Sequence, residues 1–153
     1  MKTIALRFSD NYAPKEGMIF HHQNVINQLG YVWYGKFGNR ISKDIIEEQL
    51  ESEDPKFLLI KSGGIDRYWV HFDKFQEIQP PLDEIPEYYR NSSDTIKCWF
   101  RITKFEKAEK DVLSKCYVLS SGDSLSIASK HSMNPYFKID FIDERKDEDV
   151  TNN

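Results

Sequence analysis

Two adjacent glycines between two apolar-rich segments constrain this chain more than any other feature. Phe57-Leu58-Leu59-Ile60-Lys61 is a compact apolar run, Ser62-Gly63-Gly64-Ile65-Asp66 is a turn, and Arg67 to Phe75 returns. Gly63 and Gly64 can both take positive φ, which tight hairpin turns demand. The pattern predicts a β-hairpin.

Further strands are predicted at Lys2 to Phe8, Tyr31 to Phe37, Thr95 to Phe105, Lys115 to Leu119 and Tyr136 to Ile142. Met18 to Leu29 predicts a helix, with Ile19, Val25, Ile26 and Leu29 near one face and Gly30 ending it. Ser42 is expected to cap a second helix from Lys43 to Glu51, and Ser124 to Lys130 reads as a short third. Pro86 to Arg90 reads as a helical turn or two. Strands connect through hairpins and irregular loops, without regular strand–helix alternation. That predicts an α+β fold: a curved mixed sheet or small barrel with peripheral helices.

The 153 residues are one domain's worth, expected at 1–142, with 143–153 as a frayed acidic tail. Apolar residues make up 39% and charged residues 30%, the balance of a soluble globular chain rather than a disordered one. No apolar run is long enough to span a membrane, and the first residues do not read as a secretory signal. Two cysteines make no disulfide framework, so a reducing, cytoplasmic location is expected. The net charge of -4 belongs to the last stretch, from Asp140 on, where Asp140, Asp143, Glu144, Asp147, Glu148 and Asp149 face only Arg145 and Lys146. The neutral body leaves room for a local basic surface and hence a nucleic-acid partner.

Aromatic residues reach 14%, and their placement matters more than the total. Alternation puts Ile96, Cys98, Phe100 and Ile102 on one face of a strand, and Lys97, Trp99, Arg101 and Thr103 on the other. Likewise Tyr68, Val70 and Phe72 oppose Arg67, Trp69, His71 and Asp73. Trp69 and Trp99 therefore stand among charged and polar neighbours. Such a Trp either stacks on a planar ligand, with Lys or Arg holding a phosphate, or tucks under a covering helix or loop. Ser121-Gly122 ahead of the third helix is either an anion-binding turn or part of a simple helix cap.

Catalytic signatures are absent. There is no HExxH, CxxC, GxGxxG or Walker spacing, so no metal, cofactor or catalytic residue is assigned. A small nucleic-acid-processing hydrolase using His71 or His131 as base stays as an alternative. So does a protein-interaction domain working through the acidic tail.

Tyr31-Val32-Trp33-Tyr34-Gly35-Lys36-Phe37-Gly38, the Gly63-Gly64 hairpin to Phe72, the Thr95–Phe105 strand and Ser121-Gly122-Asp123-Ser124-Leu125 together resemble the PUA-like superfamily. The chain is most similar there to the EVE and YTH group. The resemblance covers element order over residues 30–142 rather than a sharp motif. It implies a strongly curved small sheet and a modified base, in RNA or DNA, turned into an aromatic pocket. It also implies service to a larger nuclease or NTPase system. Under it Trp33, Tyr34, Trp69 and Trp99 are candidate pocket rings, and Asp10, Asn11 or Asp66 would read a base edge. Lys36, Arg40, Arg67, Lys97, Arg101, Ser121 and Gly122 are candidate phosphate contacts.

Overall fold

The computed structural model describes residues 1–143, so of the expected tail only Asp143 falls among them. The elements are β1 (Lys2–Phe8), α1 (Met18–Leu29), β2 (Val32–Lys36), α2 (Asp44–Leu50), β3 (Lys56–Lys61), β4 (Arg67–Gln76), β5 (Cys98–Lys107), β6 (Cys116–Val118), α3 (Leu125–His131) and β7 (Tyr136–Phe141). Short 3₁₀ segments occupy Leu82–Glu84, Glu87–Thr95 and Val112–Lys115.

The strands form one seven-stranded sheet in the order β2-β5-β4-β3-β1-β7-β6. β1 and β3 run parallel; every other neighbouring pair is antiparallel. The fold is α+β with a mixed sheet, and the sheet stays open rather than closing into a barrel. The predicted β3–β4 hairpin forms, with Gly63 at φ +70° in its turn. No helix among the described residues is long and apolar enough to cross a membrane.

A β-bulge bends the sheet. The β4–β5 register slips on either side of Phe72, leaving Asp73 outside the ladder and aiming its carboxylate at Arg101. Apolar parity shifts there too: Val70 and Phe72 face the main core, and the next ring against it is Phe75. The bent sheet curls until its β2 edge faces β1 and β7. Tyr34 of β2 lies 6.3 Å from Phe57 of β3 across the interior, and the Lys36 ammonium lies 6.0 Å from the Tyr136 ring of β7.

Both faces of the sheet are covered. The concave face holds Leu6, Phe57, Leu59, Val70, Phe100 and Ile102, closed by α1 and α2. Behind β1, β3 and β4, a second cluster packs Leu58 and Trp69 against Val112, Leu113, Val118 and Leu125. Behind β2 and β5, the 3₁₀ segments lay Ile85 and Tyr89 over Trp33 and Trp99.

This double cover corrects the reading of the tryptophans. Alternation is right: Trp69 and Trp99 do oppose Val70 and Phe100. The opposite face, however, is not a polar surface. Trp99 is 0% exposed, Trp33 4% and Trp69 8%. Large apolar rings on an outer face recruited covering segments, the second of the two fates open to them. They also sit in two different clusters, so no single pocket takes all three.

Three local differences remain. The expected β5 start at Thr95 moves to Cys98, because the 3₁₀ segment runs through Thr95. Ser42 does not cap α2; its hydroxyl bonds the Asp44 carboxylate at 2.6 Å instead. Gly30 closes α1 as predicted, at φ +85° with its N–H on the Ile26 carbonyl.

Candidate functional site

The seam between the β2 edge and β1 is where the curled sheet fails to close. A cavity of about 220 Å³ opens there. Tyr34, Gly35, Lys36 and Phe37 line it from β2 and the residue after it, and Tyr88 and Tyr89 from the 3₁₀ segment. Arg7, Phe8, Ser9 and Tyr12 close it from β1 and the following loop. The walls are mostly aromatic, which suits a planar ring.

Its floor is a hydrogen-bonded clasp. As an edge strand, β2 needs partners for its outward backbone groups. The Tyr89 hydroxyl supplies one, donating to the Trp33 carbonyl at 3.0 Å. His22, buried on α1, stacks on the Tyr89 ring with its Nε2 2.9 Å from the same hydroxyl. Nδ1 of His22 lies 2.8 Å from the Met18 carbonyl, which only accepts, so the ring proton sits on Nδ1 and the single Tyr89 hydroxyl proton is shared between the Trp33 carbonyl and the bare Nε2. Burial holds the imidazole neutral, bringing its pKa down to about 4.

Two hydroxyls facing the cavity lack hydrogen-bond partners, and two cations lack anions, among the described residues. Tyr34 is 7% exposed, and no hydrogen bond engages its hydroxyl among the described residues. The Tyr88 hydroxyl is likewise unengaged. Burial raises both phenol pKa values, keeping them protonated and able to donate. Lys36, 6% exposed, donates to the Phe37 and Asn39 carbonyls at 3.2 and 3.1 Å but meets no carboxylate among the described residues. Burial lowers its pKa. Among the described residues, the Arg7 guanidinium donates only to the carbonyls of Ser129, Ser132 and Asn134, at 2.7, 2.7 and 3.0 Å. A buried ammonium without an anion is costly in a closed core. Beside a cavity, it suits a ligand that brings acceptors or negative charge.

The sequence-derived candidates divide sharply. Tyr34 and Lys36 line the cavity, and Trp33 lies behind it with its indole N–H 3.2 Å from Glu84. Asp10 and Asn11 lie in the Ser9–Tyr12 loop but do not line the cavity. Partial burial alone would raise the Asp10 pKa. The Met18 N–H at 2.9 Å and the Lys61 ammonium at 3.1 Å hold it below its usual range. Asp10 therefore pins the loop to α1 and β3. Asp66 sits 4.0 Å from Lys61.

Several expected phosphate contacts are already occupied. Arg101 makes a bidentate pair with Asp73, at 2.7 and 2.8 Å, and lies over Tyr31. Arg40 pairs with Glu77 at 3.3 Å. Lys97 is exposed on the opposite end of β5 from Lys107. In the Ser121-Gly122 turn, the Gly122 N–H is bound to the Val118 carbonyl and the Asp123 N–H to the Ser121 hydroxyl, so neither points at a ligand. Arg67 lines a neighbouring cavity. Tyr88, Tyr89 and His22 escaped the sequence reading. The paired tyrosines after Pro86 were a usable signal, because two adjacent rings outside any strand need something to cover.

His71 has Nδ1 2.7 Å from Asp54 and Nε2 3.1 Å from Glu106, so both ring nitrogens are engaged on the surface. Cys98 and Cys116 are buried, and burial pushes the Cys116 thiol up to about 12. No group of three or more His, Cys, Asp or Glu placed to hold a metal occurs among the described residues.

Comparison with curated proteins and with solved structures gives no match. The Pua-like family model matches residues 4–151, nearly the whole chain. The open α+β mixed sheet is consistent with that match, and the chain belongs to the Pua-like family.

Proposed function

We propose that this protein is a nucleic-acid-binding module that takes one base, unstacked from its strand, into the seam cavity. Domains of its family generally bind nucleic acids. The observation that carries the reading is the cavity itself: aromatic walls, an unengaged Tyr34 hydroxyl inside, and two cations at its edge without carboxylate partners. A base inserted there would be enclosed by Phe37, Tyr34 and Tyr88, much as other readers hold a flipped base. Of the rings expected from the sequence, Tyr34 serves as a wall, Trp33 and Trp99 support β2 from behind, and Trp69 packs in the other cluster.

The cavity's polar groups are mainly donors, so they favour a base edge rich in acceptors, whether native or added by modification. Recognition on behalf of a larger nuclease or NTPase system fits a domain whose described cysteines and histidines form no catalytic pair.

The test is a binding panel of plain and base-modified RNA and DNA oligonucleotides at low and physiological salt. Binding that Tyr34→Phe and Tyr88→Ala both weaken supports the reading. No binding even at low salt, or binding untouched by both substitutions, overturns it.

A further inference from the structure

A second cavity, about 360 Å³, lies beside the first where β1 and β3 end, and the two share Arg7. The parallel pairing of β1 and β3 puts both strand ends on one side, with the Ser62 N–H on the Phe8 carbonyl at 2.8 Å. β4 begins at the same end with Arg67. β5 finishes there, since Lys107 pairs with Tyr68, and the chain continues to Lys110. α3 contributes Lys130 from the opposite wall.

Five cations thus line one cleft: Arg7, Lys61, Arg67, Lys110 and Lys130, against the single carboxylate of Asp111. Asp111 is held by Lys115 at 3.4 Å, and Lys61 by Asp10 and Asp66. The remaining four have no carboxylate at ion-pair distance among the described residues. Arg7 meets backbone carbonyls and lies 5.7 Å from the centre of the Phe137 ring. Arg67 reaches the Lys110 carbonyl at 3.5 Å, and its Nε–H is buried with no acceptor among the described residues. Buried polar groups nearly always find a partner, so an orphaned guanidinium N–H in a cationic cleft marks a place for an external acceptor.

We infer that this cleft is a phosphodiester site. It receives the strand's phosphates next to the base held in the seam cavity, with Arg7 bridging the two. The assignment rests on the base-binding reading for the strand's direction, but the anion site stands on its own residues. It moves the phosphate track away from Lys97, Arg101 and Arg40, two of which are neutralised, to the end of the sheet where β1 and β3 finish.

The experiment uses the full chain, isotope-labelled so that the Nε–H signals of Arg7 and Arg67 are read directly. Three additions are compared: inorganic phosphate, a pentanucleotide and a nucleoside without phosphate. The pentanucleotide is expected to shift the Arg67 Nε–H signal at far lower concentration than inorganic phosphate, and the nucleoside to leave it unmoved. In the Lys110→Gln/Lys130→Gln double variant, pentanucleotide affinity should fall about tenfold, and the slope of log K against log salt should shrink by about 1.4, the share of two single-strand phosphate contacts. Nucleoside binding in the seam cavity should stay the same.

An Arg67 signal unmoved by both phosphate and pentanucleotide, or an unchanged affinity and salt slope in the double variant, overturns the cleft. Inorganic phosphate binding as tightly as the pentanucleotide overturns the phosphodiester assignment and points to free phosphate. A cleft that responds while the nucleoside and the seam cavity do not supports the anion site and defeats the base reading instead.

Discussion

Tyr34 occupies a position where phenylalanine would fill the same space. Its ring packs toward Phe57 and His22, yet its hydroxyl faces the seam cavity without a partner. A hydroxyl that contributes no bond to the free fold is informative, because removing it separates folding from binding. Tyr34→Phe should leave unfolding free energy within about 0.5 kcal/mol of the parent. It should weaken ligand binding by about 1 kcal/mol, the usual worth of one hydrogen bond. Urea unfolding alongside an oligonucleotide titration checks both. His22 beneath it makes a pH prediction. Its folded pKa, about 4, lies below the ordinary value of 6.5, so the unfolded chain takes up the proton first as pH falls. The stability this group confers is complete above about pH 6.5, drains as pH falls toward 4, and amounts to on the order of 3 kcal/mol. Tyr34, Tyr88, Tyr89 and Phe105 surround the ring, and the adjacent His21 adds to the downward shift that burial causes. His22→Gln should flatten the stability profile over that window; an equally steep profile in the variant would assign the effect elsewhere.

At the scale of elements, β2 depends on a glycine. A Cβ at Gly35 would sit 2.8 Å from Ile96 Cδ1 and 2.9 Å from the Trp99 ring. Gly35 therefore lets the Trp99 indole lie flat beneath β2, which in turn sets the height of Tyr34 and Lys36 at the cavity. Gly35→Ala should cost about 1–3 kcal/mol by overpacking, read from denaturant unfolding, and should weaken ligand binding through the displaced cavity wall. A variant of parent stability and affinity would show that the contact relaxes freely. The same strand shows what a sequence discloses. Its position, its aromatic character and its two faces were legible, because alternation is a local rule. So were β1 and α1, whose ends match Lys2–Phe8 and Met18–Leu29. Whether an outer face meets water is not local. Trp69 and Trp99 looked exposed among Arg, Lys and His, yet segments distant in sequence cover them: Ile85 and Tyr89 over one, Val112, Leu113 and Phe141 around the other. Site legibility followed the same divide. Tyr34 and Lys36 lie in the aromatic strand and could be named. Arg7, Tyr88 and Lys130 reach their cavities only through the curl of the sheet and the β1–β3 pairing.

On the scale of the whole molecule, the two cavities are held at a fixed spacing by strands that bury both faces. β1 sends Ile4 and Leu6 to the main core and Ala5 to the second cluster; β3 sends Phe57 and Leu59 one way and Leu58 and Ile60 the other. β4 does the same with Val70 and Trp69. Opening either layer would therefore strip the shared strands of half their burial while breaking one continuous ladder. Three clusters joined in this way should unfold together, without a populated half-folded state. The tryptophans serve as reporters, Trp69 for the second cluster and Trp33 with Trp99 for the third. In Trp69→Phe, fluorescence reads the third cluster alone; in Trp33→Phe/Trp99→Phe, it reads the second. Each variant's fluorescence transition in urea should coincide with its own far-UV circular dichroism transition, whatever its absolute stability. Separate midpoints within one variant would show that a covering layer detaches on its own. The cleft and the seam cavity would then be coupled only loosely, and Arg7 could not bind a phosphate and border a base pocket at a constant separation.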